Sequence, residues 1–157
     1  MLEVGQTVPD FSFKATSGLN AKLDDYQGKK IILYFYPKDN TQGCTAEGQD
    51  FTALYNLFKK ANAVVFGVSK DSMKAHENFK AKYQFPFELI SDKDQSLCQL
   101  FDVIKEKSMF GKKYMGIERS TFLIDEQGKL VKEWRKIKIK GHAETVLKEV
   151  MQPASGK

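Results

Sequence analysis

Cys44 stands where a thiol becomes a nucleophile, because the residues around it predict a strand, a short break and the first turn of a helix. Ile31 to Tyr36 form an unbroken apolar run, the pattern of a strand covered on both faces. Pro37 stops it and Asp39 and Asn40 break the pattern. Phe51, Leu54, Leu57 and Phe58 then recur at helical spacing, so a helix is predicted to begin between Thr41 and Thr45. The first N–H groups of a helix lack intrahelical acceptors, and with the positive end of the macrodipole they favour an anion over a neutral thiol. The thiolate is the reactive species, and an unperturbed thiol is only a few per cent ionised at neutral pH. One exposed helix end supplies only about 0.3–1 kcal/mol, so a second cation or donor is needed. Arg119 is the candidate, since its guanidinium stays charged and it precedes Thr121 to Ile124, which reads as another inner strand.

These residues resemble a known site. The frame Pro37-x-x-x-Thr41-x-x-Cys44, with Arg119 far downstream, is similar to the active site of the peroxiredoxins, and most of all to the bacterioferritin-comigratory, or peroxiredoxin Q, branch. VGQTVPDFSF, YFYPKDNT, FGVSKDS, FPFELISD and RSTFLID carry the resemblance in order along nearly the whole chain. Gln42 departs from it, because the family usually places a proline between the threonine and the glycine. The resemblance implies a thiol peroxidase of antioxidant function that needs no cofactor. Cys44 would attack a hydroperoxide oxygen and become a sulfenic acid. Thr41 would hydrogen bond the peroxide, and the backbone N–H groups of Gly43 and Cys44 would hold its oxygens as an anion hole does. Arg119 would stabilise the thiolate and polarise the O–O bond. Glu47, three residues after Cys44, shares its helix face and would hold Arg119 by a bidentate pair, while Pro37 would shield the sulfur from water.

How the sulfenic acid is resolved is a separate question. The branch often carries a second cysteine five residues after the first or in the next helix, and here those positions hold Gln49 and Lys80. Cys98 is the only other thiol, and Leu97, Leu100 and Phe101 beside it suggest a buried core residue. A one-cysteine cycle with an external thiol is therefore expected, the reductant being thioredoxin, glutaredoxin or a small thiol. The alternative is an atypical two-cysteine cycle in which Cys98 resolves.

The elements that must position this chemistry alternate strand with helix. Phe11 and Phe13 alternate with polar residues before the turn signal TSGLN, which predicts an edge hairpin. Ala63 to Val68 reads as a second inner strand parallel to the first. Asp71 or Ser72 is predicted to cap a helix running to about Tyr83, with His76 as a helix-face residue of no chemical role. FPFELI leads to a short helix around Cys98, capped by Ser91 or Asp92. Lys105 to Met115 lacks periodicity and reads as a long connection, either overhanging the site or simply solvated. Thr121–Ile124, DEQG and Leu130–Trp134 predict a hairpin, and the stretch from His142 to Met151 a closing helix. The expected fold is thioredoxin-like α/β: a central mixed sheet flanked by helices, with an N-terminal hairpin.

Length and charge narrow the remaining readings. Residues 1–157 suit one domain, with 153–157 expected as a disordered tail. No opening segment reads as a leader and no apolar run approaches a membrane span, so a cytoplasmic protein without membrane partners is expected, and the branch suggests a monomer. Two cysteines without a C-x-x-C, and His76 and His142 far apart in sequence, predict no metal site. The net charge of +5 is matched by the surplus of six basic residues over Glu133 between Lys129 and Lys140. Ile137 and Ile139 alternate there with lysines, the pattern of a strand with one wet face. With Trp134 as its only aromatic residue, the stretch does not read as a nucleic-acid site. The rival to a peroxidase is a non-enzymatic redox sensor or binding protein using that 129–140 surface.

Overall fold

The computed structural model describes residues 2–152, so the expected 153–157 tail lies outside the described residues. The N-terminal hairpin is β1 (Ser12–Ala15) and β2 (Leu19–Lys22), followed by a 3-10 turn at Leu23–Tyr26. Then come β3 (Lys30–Phe35), α1 (Gln42–Ala53), α2 (Tyr55–Lys60), β4 (Ala63–Ser69), α3 (Met73–Tyr83), β5 (Glu88–Ser91) and α4 (Ser96–Leu100). A second hairpin, β6 (Ile104–Met109) and β7 (Lys112–Ile117), precedes β8 (Ser120–Ile124), β9 (Leu130–Trp134) and α5 (His142–Met151).

Among the described residues, seven strands form one mixed sheet in the order β2-β1-β5-β4-β3-β8-β9, while β6 and β7 pair only with each other. The centre is parallel: β3 pairs with β4 and β4 with β5, and both crossings run through helices. β8 adds antiparallel to the other side of β3, with Phe35 opposite Ser120, which brings the residue before Ser120 close to the C-terminal end of β3. The apolar run of β3 divides by strand alternation between two cores. Ile31, Leu33 and Phe35 face a core completed by the N-terminal hairpin and α4. Ile32, Tyr34 and Tyr36 face one completed by α1, α2, α3 and α5. Cys98 lies in the first core and Cys44 in the second, so the sheet separates the two thiols.

Four expectations are corrected. The predicted single helix breaks at Leu54, whose φ/ψ of −102/3 separates α1 from α2. Leu57, expected on the apolar stripe, is 43% exposed. The supposed connection between Lys105 and Met115 is the β6–β7 hairpin, turned at Phe110 and Gly111, both with positive φ. The alternating stretch Lys136–Lys140 is not a strand: Lys136 has φ 48°, and Ile137 donates its backbone N–H to the carbonyl of Arg119 instead of pairing with an edge. The alternation still shows in exposure, with the three lysines in water and the two isoleucines half-buried. Among the described residues no helix is long and apolar enough to cross a membrane.

Candidate active site

Helix α1 begins at the C-terminal end of a central parallel strand, where open sheets present ligand sites. Thr41 is its N-cap, in extended backbone conformation, and its carbonyl accepts the first intrahelical bond from Thr45 N–H at 2.9 Å. The N–H groups of Gln42, Gly43 and Cys44 precede that bond and are the orphan donors of the helix. The Thr41 hydroxyl does not cap the helix. It donates to the carbonyl of Lys38 at 2.8 Å, which leaves its oxygen lone pairs facing outward. Pro37, half-buried, closes β3 just ahead of this turn.

The buried side of α1 is Cys44, Glu47, Gly48 and Phe51, the i, i+3, i+4, i+7 stripe of a helix laid on a sheet. Cys44 is 2% exposed. Arg119, in the link from β7 to β8, reaches this stripe with both terminal nitrogens. Its Nη2 donates to Cys44 Sγ at 3.4 Å and its Nη1 to Glu47 Oε1 at 2.7 Å. The expected bidentate Arg119–Glu47 pair is thus corrected: the guanidinium fork is split between sulfur and carboxylate. Glu47 Oε2 is buried and has no hydrogen-bond partner among the described residues. Burial pushes the Glu47 carboxyl up to about 7, against the downward pull of Arg119. The Arg119 guanidinium is held above its usual range, because Glu47 and Cys44 outweigh its own desolvation.

Gly43 lets the guanidinium approach. A Cβ there would lie 3.3 Å from Arg119 Nη2 and 3.2 Å from Ile139 Cδ1, so the loop after β9 also seats against this turn. Lys107 enters the neighbourhood from β6, where burial and then the charge of Arg119 push its ammonium down and Cys44 pulls it up. Sequence reading placed Lys107 in an unstructured connection, and only the hairpin brings it near the sulfur. His142, at the start of α5, is joined through Nε2 to Thr121 Oγ1 at 2.8 Å and stands edge-on to Phe51. Burial, then Arg119, pushes its imidazole down to about 4.

Cys98 is not part of this constellation. It is fully buried on α4, where its N–H donates to Asp92 Oδ2 at 2.8 Å; the N-cap position is Gln95, and Asp92 accepts from first-turn N–H groups without occupying it. Burial, then Asp92, pushes its thiol well above the ordinary range. His76, expected as a helix-face residue of no chemical role, lies on the buried stripe of α3 with Phe79, where Asp39, Asp71 and His76 bring ligand-type atoms within 4.8 Å of one another. Sequence spacing gave no sign of that cluster. Its members hydrogen bond each other and the loop before α1, with His76 Nδ1 2.6 Å from Asp39 Oδ2.

Comparison with known proteins shows the family. Residues 4–133 match the AhpC/TSA family. The chain is 52% identical over 146 residues to Peroxiredoxin Bcp of Bacillus subtilis, covering 93% of each protein. It also resembles the bacterioferritin comigratory protein of Xanthomonas campestris, whose structures address alkyl peroxide reduction, with a TM-score of 0.87, 49% identity and 96% of each chain covered. A cysteine-to-serine variant of PrxQ from Xylella fastidiosa superposes with a TM-score of 0.91 at 44% identity, again over 96% of each chain.

Proposed function

Since the chain belongs to the AhpC/TSA family, and is a peroxiredoxin of the Bcp type, we propose that Cys44 is its peroxidatic residue and that it works in a one-cysteine cycle. The Arg119 fork shared between Cys44 Sγ and Glu47 carries this reading. The Cys44 thiolate attacks the distal oxygen of a hydroperoxide. An S–O bond forms and the O–O bond breaks; the peroxide is reduced to water or an alcohol, and the sulfur is oxidised to a sulfenic acid. Negative charge then moves onto the leaving oxygen. Arg119 and the N–H groups of Gly43 and Cys44 are the donors that receive it, while the Thr41 hydroxyl, its own proton given to the Lys38 carbonyl, accepts from the peroxide O–H; the leaving oxygen takes up a proton from water. Glu47 orients Arg119, and Pro37 keeps the sulfur from bulk water.

Hydrogen peroxide and organic hydroperoxides are the substrates in this reading. The alkyl peroxide activity addressed for the Xanthomonas campestris relative supports the second class. One external thiol condenses with the sulfenic acid, releasing water and leaving a mixed disulfide, and a second thiol displaces the first as a disulfide. Thioredoxin, glutaredoxin or a small thiol supplies the electrons. Placing resolution outside the chain is supported by the burial of Cys98, its raised thiol and its position across the sheet from Cys44. The protein acts as a single-domain cytoplasmic monomer in this account. A Cys98-resolved cycle would require both cores to open, and a purely sensory role leaves the donor set around Cys44 without a purpose.

A thiol-coupled peroxide assay tests the proposal. Cys44→Ser should abolish turnover while Cys98→Ser keeps most of it with a small-thiol reductant. Equal peroxide consumption by Cys44→Ser and the parent would end this reading.

A further inference from the structure

We propose that His76 is a positioning residue of the peroxidatic site: through Asp39 it fixes the loop at 37–41, which carries Thr41 and opens α1. The proposal rests on Cys44 being the reacting thiol. His76 is fully buried on α3, and each of its ring nitrogens meets an acceptor. Nε2 is 2.9 Å from the carbonyl of Ile90 and Nδ1 is 2.6 Å from Asp39 Oδ2. A carbonyl has no proton to give, so Nε2 donates. The short contact to the carboxyl needs a second proton between ring and oxygen, whichever of the two carries it.

Asp39 is held on every other side as well. Its Oδ1 accepts from Tyr36 OH at 2.6 Å, and its backbone N–H donates to Asp71 Oδ2 at 2.9 Å. Asp71 is itself fixed by the Ser69 hydroxyl at 2.6 Å. The next residue, Asn40, has φ 62°, and its side-chain oxygen receives Lys82 Nζ at 3.3 Å and Tyr83 OH at 3.4 Å, both from α3. Thr41 then ties back to Lys38. So the loop that sets the first turn of α1 leans on α3, and its buried contact with that helix is the one between Asp39 and His76. Of the five side chains Tyr36, Asp39, Ser69, Asp71 and His76, only His76 is able to carry positive charge against two carboxyl groups. Removing it leaves Asp39 buried without that partner, a state relieved by turning the carboxylate, and the loop with it, toward water.

Two rates follow, with opposite signs. A small displacement of the Thr41 hydroxyl and the orphan N–H groups slows attack on peroxide, since misplacement by ~1 Å costs up to about 10²-fold. Cys44 is 2% exposed, so an external thiol reaches its sulfenic acid only when the first turn of α1 opens. The contact that aligns the first step holds the second closed.

The test measures two rates, Cys44 oxidation by hydrogen peroxide and mixed-disulfide formation of the oxidised protein with a small thiol, together with the melting temperature. The proteins are the parent, His76→Leu, Asp39→Ala, Asp39→Asn and the His76→Leu/Asp39→Ala double variant. We expect oxidation to slow by roughly 10- to 100-fold in His76→Leu and in Asp39→Ala, with no further loss in the double variant. Capture by thiol should quicken in all three. Asp39→Asn should recover both rates, because its amide accepts from Tyr36 and donates to Nδ1 of a neutral ring that still donates to Ile90. If His76→Leu does not fold, the Asp39 variants decide. Parental rates in His76→Leu or Asp39→Ala, additive losses in the double variant, or rates that follow melting temperature without recovery in Asp39→Asn would each overturn the proposal while leaving Cys44 in its role. A parent whose Cys44 is not oxidised at all would overturn both.

Discussion

Arg119 divides its two terminal nitrogens between the sulfur of Cys44 and the carboxylate of Glu47, and this division sets what each neighbouring residue must do. The guanidinium is the side-chain donor in contact with the sulfur, at 3.4 Å. In the proposed reaction it is also one of the donors to the oxygen on which charge develops when the O–O bond breaks. Arg119→Ala should therefore lower the second-order rate of Cys44 with peroxide by about 10²- to 10³-fold, the usual cost of losing one preorganised donor. Arg119→Lys should recover only part of that, because an ammonium has no planar fork to span sulfur and carboxylate together. Competition kinetics against a second peroxidase reads both values, and parental rates in Arg119→Ala would remove the guanidinium from the chemistry. Gly43→Ala belongs to the same contact: its methyl would press on Nη2 from 3.3 Å, so a loss of rate without a comparable loss of stability is expected.

At the scale of elements, α1 seats on the sheet because Gly48 admits Phe85. A Cβ at Gly48 would lie 2.5 Å from Phe85 Cζ, and that ring is itself enclosed, with Phe79 and Phe87 at centroid distances of 5.0 and 5.4 Å. Gly48→Ala should cost about 1–3 kcal/mol in urea unfolding, in contrast to Gly43→Ala, and an unchanged midpoint would show that α1 sits less tightly than described. Much of this architecture was legible from local pattern. The unbroken apolar run of β3 announced burial on two faces, Ser72 caps α3 by accepting from Ala75 N–H, and the spacing of Cys44 and Glu47 put both on the stripe that meets Arg119. What stayed hidden lacked a local signature. Most of the β6–β7 hairpin is exposed and lysine-rich, so it shows no apolar alternation, and its turn is Phe-Gly in place of the usual Asn-Gly or Asp-Gly. The reverse error arose at Lys136–Lys140, where alternation was present but Lys136 has a positive φ and Ile137 bonds the Arg119 carbonyl. Asp39 and His76 are 37 positions apart, and only the packing of α3 under the loop brings them together.

For the whole molecule, two buried titrating groups set opposing slopes of stability against pH. Burial raises the folded-state pKa of Glu47 from 4.5 to about 7, so its contribution is fully present below 4.5 and is lost as pH rises through 7. Burial lowers that of His142 from 6.5 to about 4, so its contribution is fully present above 6.5 and is lost as pH falls through 4. Between those limits the two largely cancel. Glu47→Gln should therefore gain stability relative to the parent as pH rises from 4.5 to 7, by about 3 kcal/mol at most, and a gap that does not change with pH would place the carboxyl in a wetter setting than described. The larger division is the sheet itself, which holds Cys44 in one core and Cys98 in the other. That separation is why resolution is assigned to an external thiol. Intact mass after one equivalent of hydrogen peroxide, with no reductant present, reads the central claim directly. The account predicts the gain of one oxygen, mapped to Cys44 by a sulfenic-acid trap and absent in Cys44→Ser. An unchanged mass, or the loss of two hydrogens as a Cys44–Cys98 bridge forms, would contradict it.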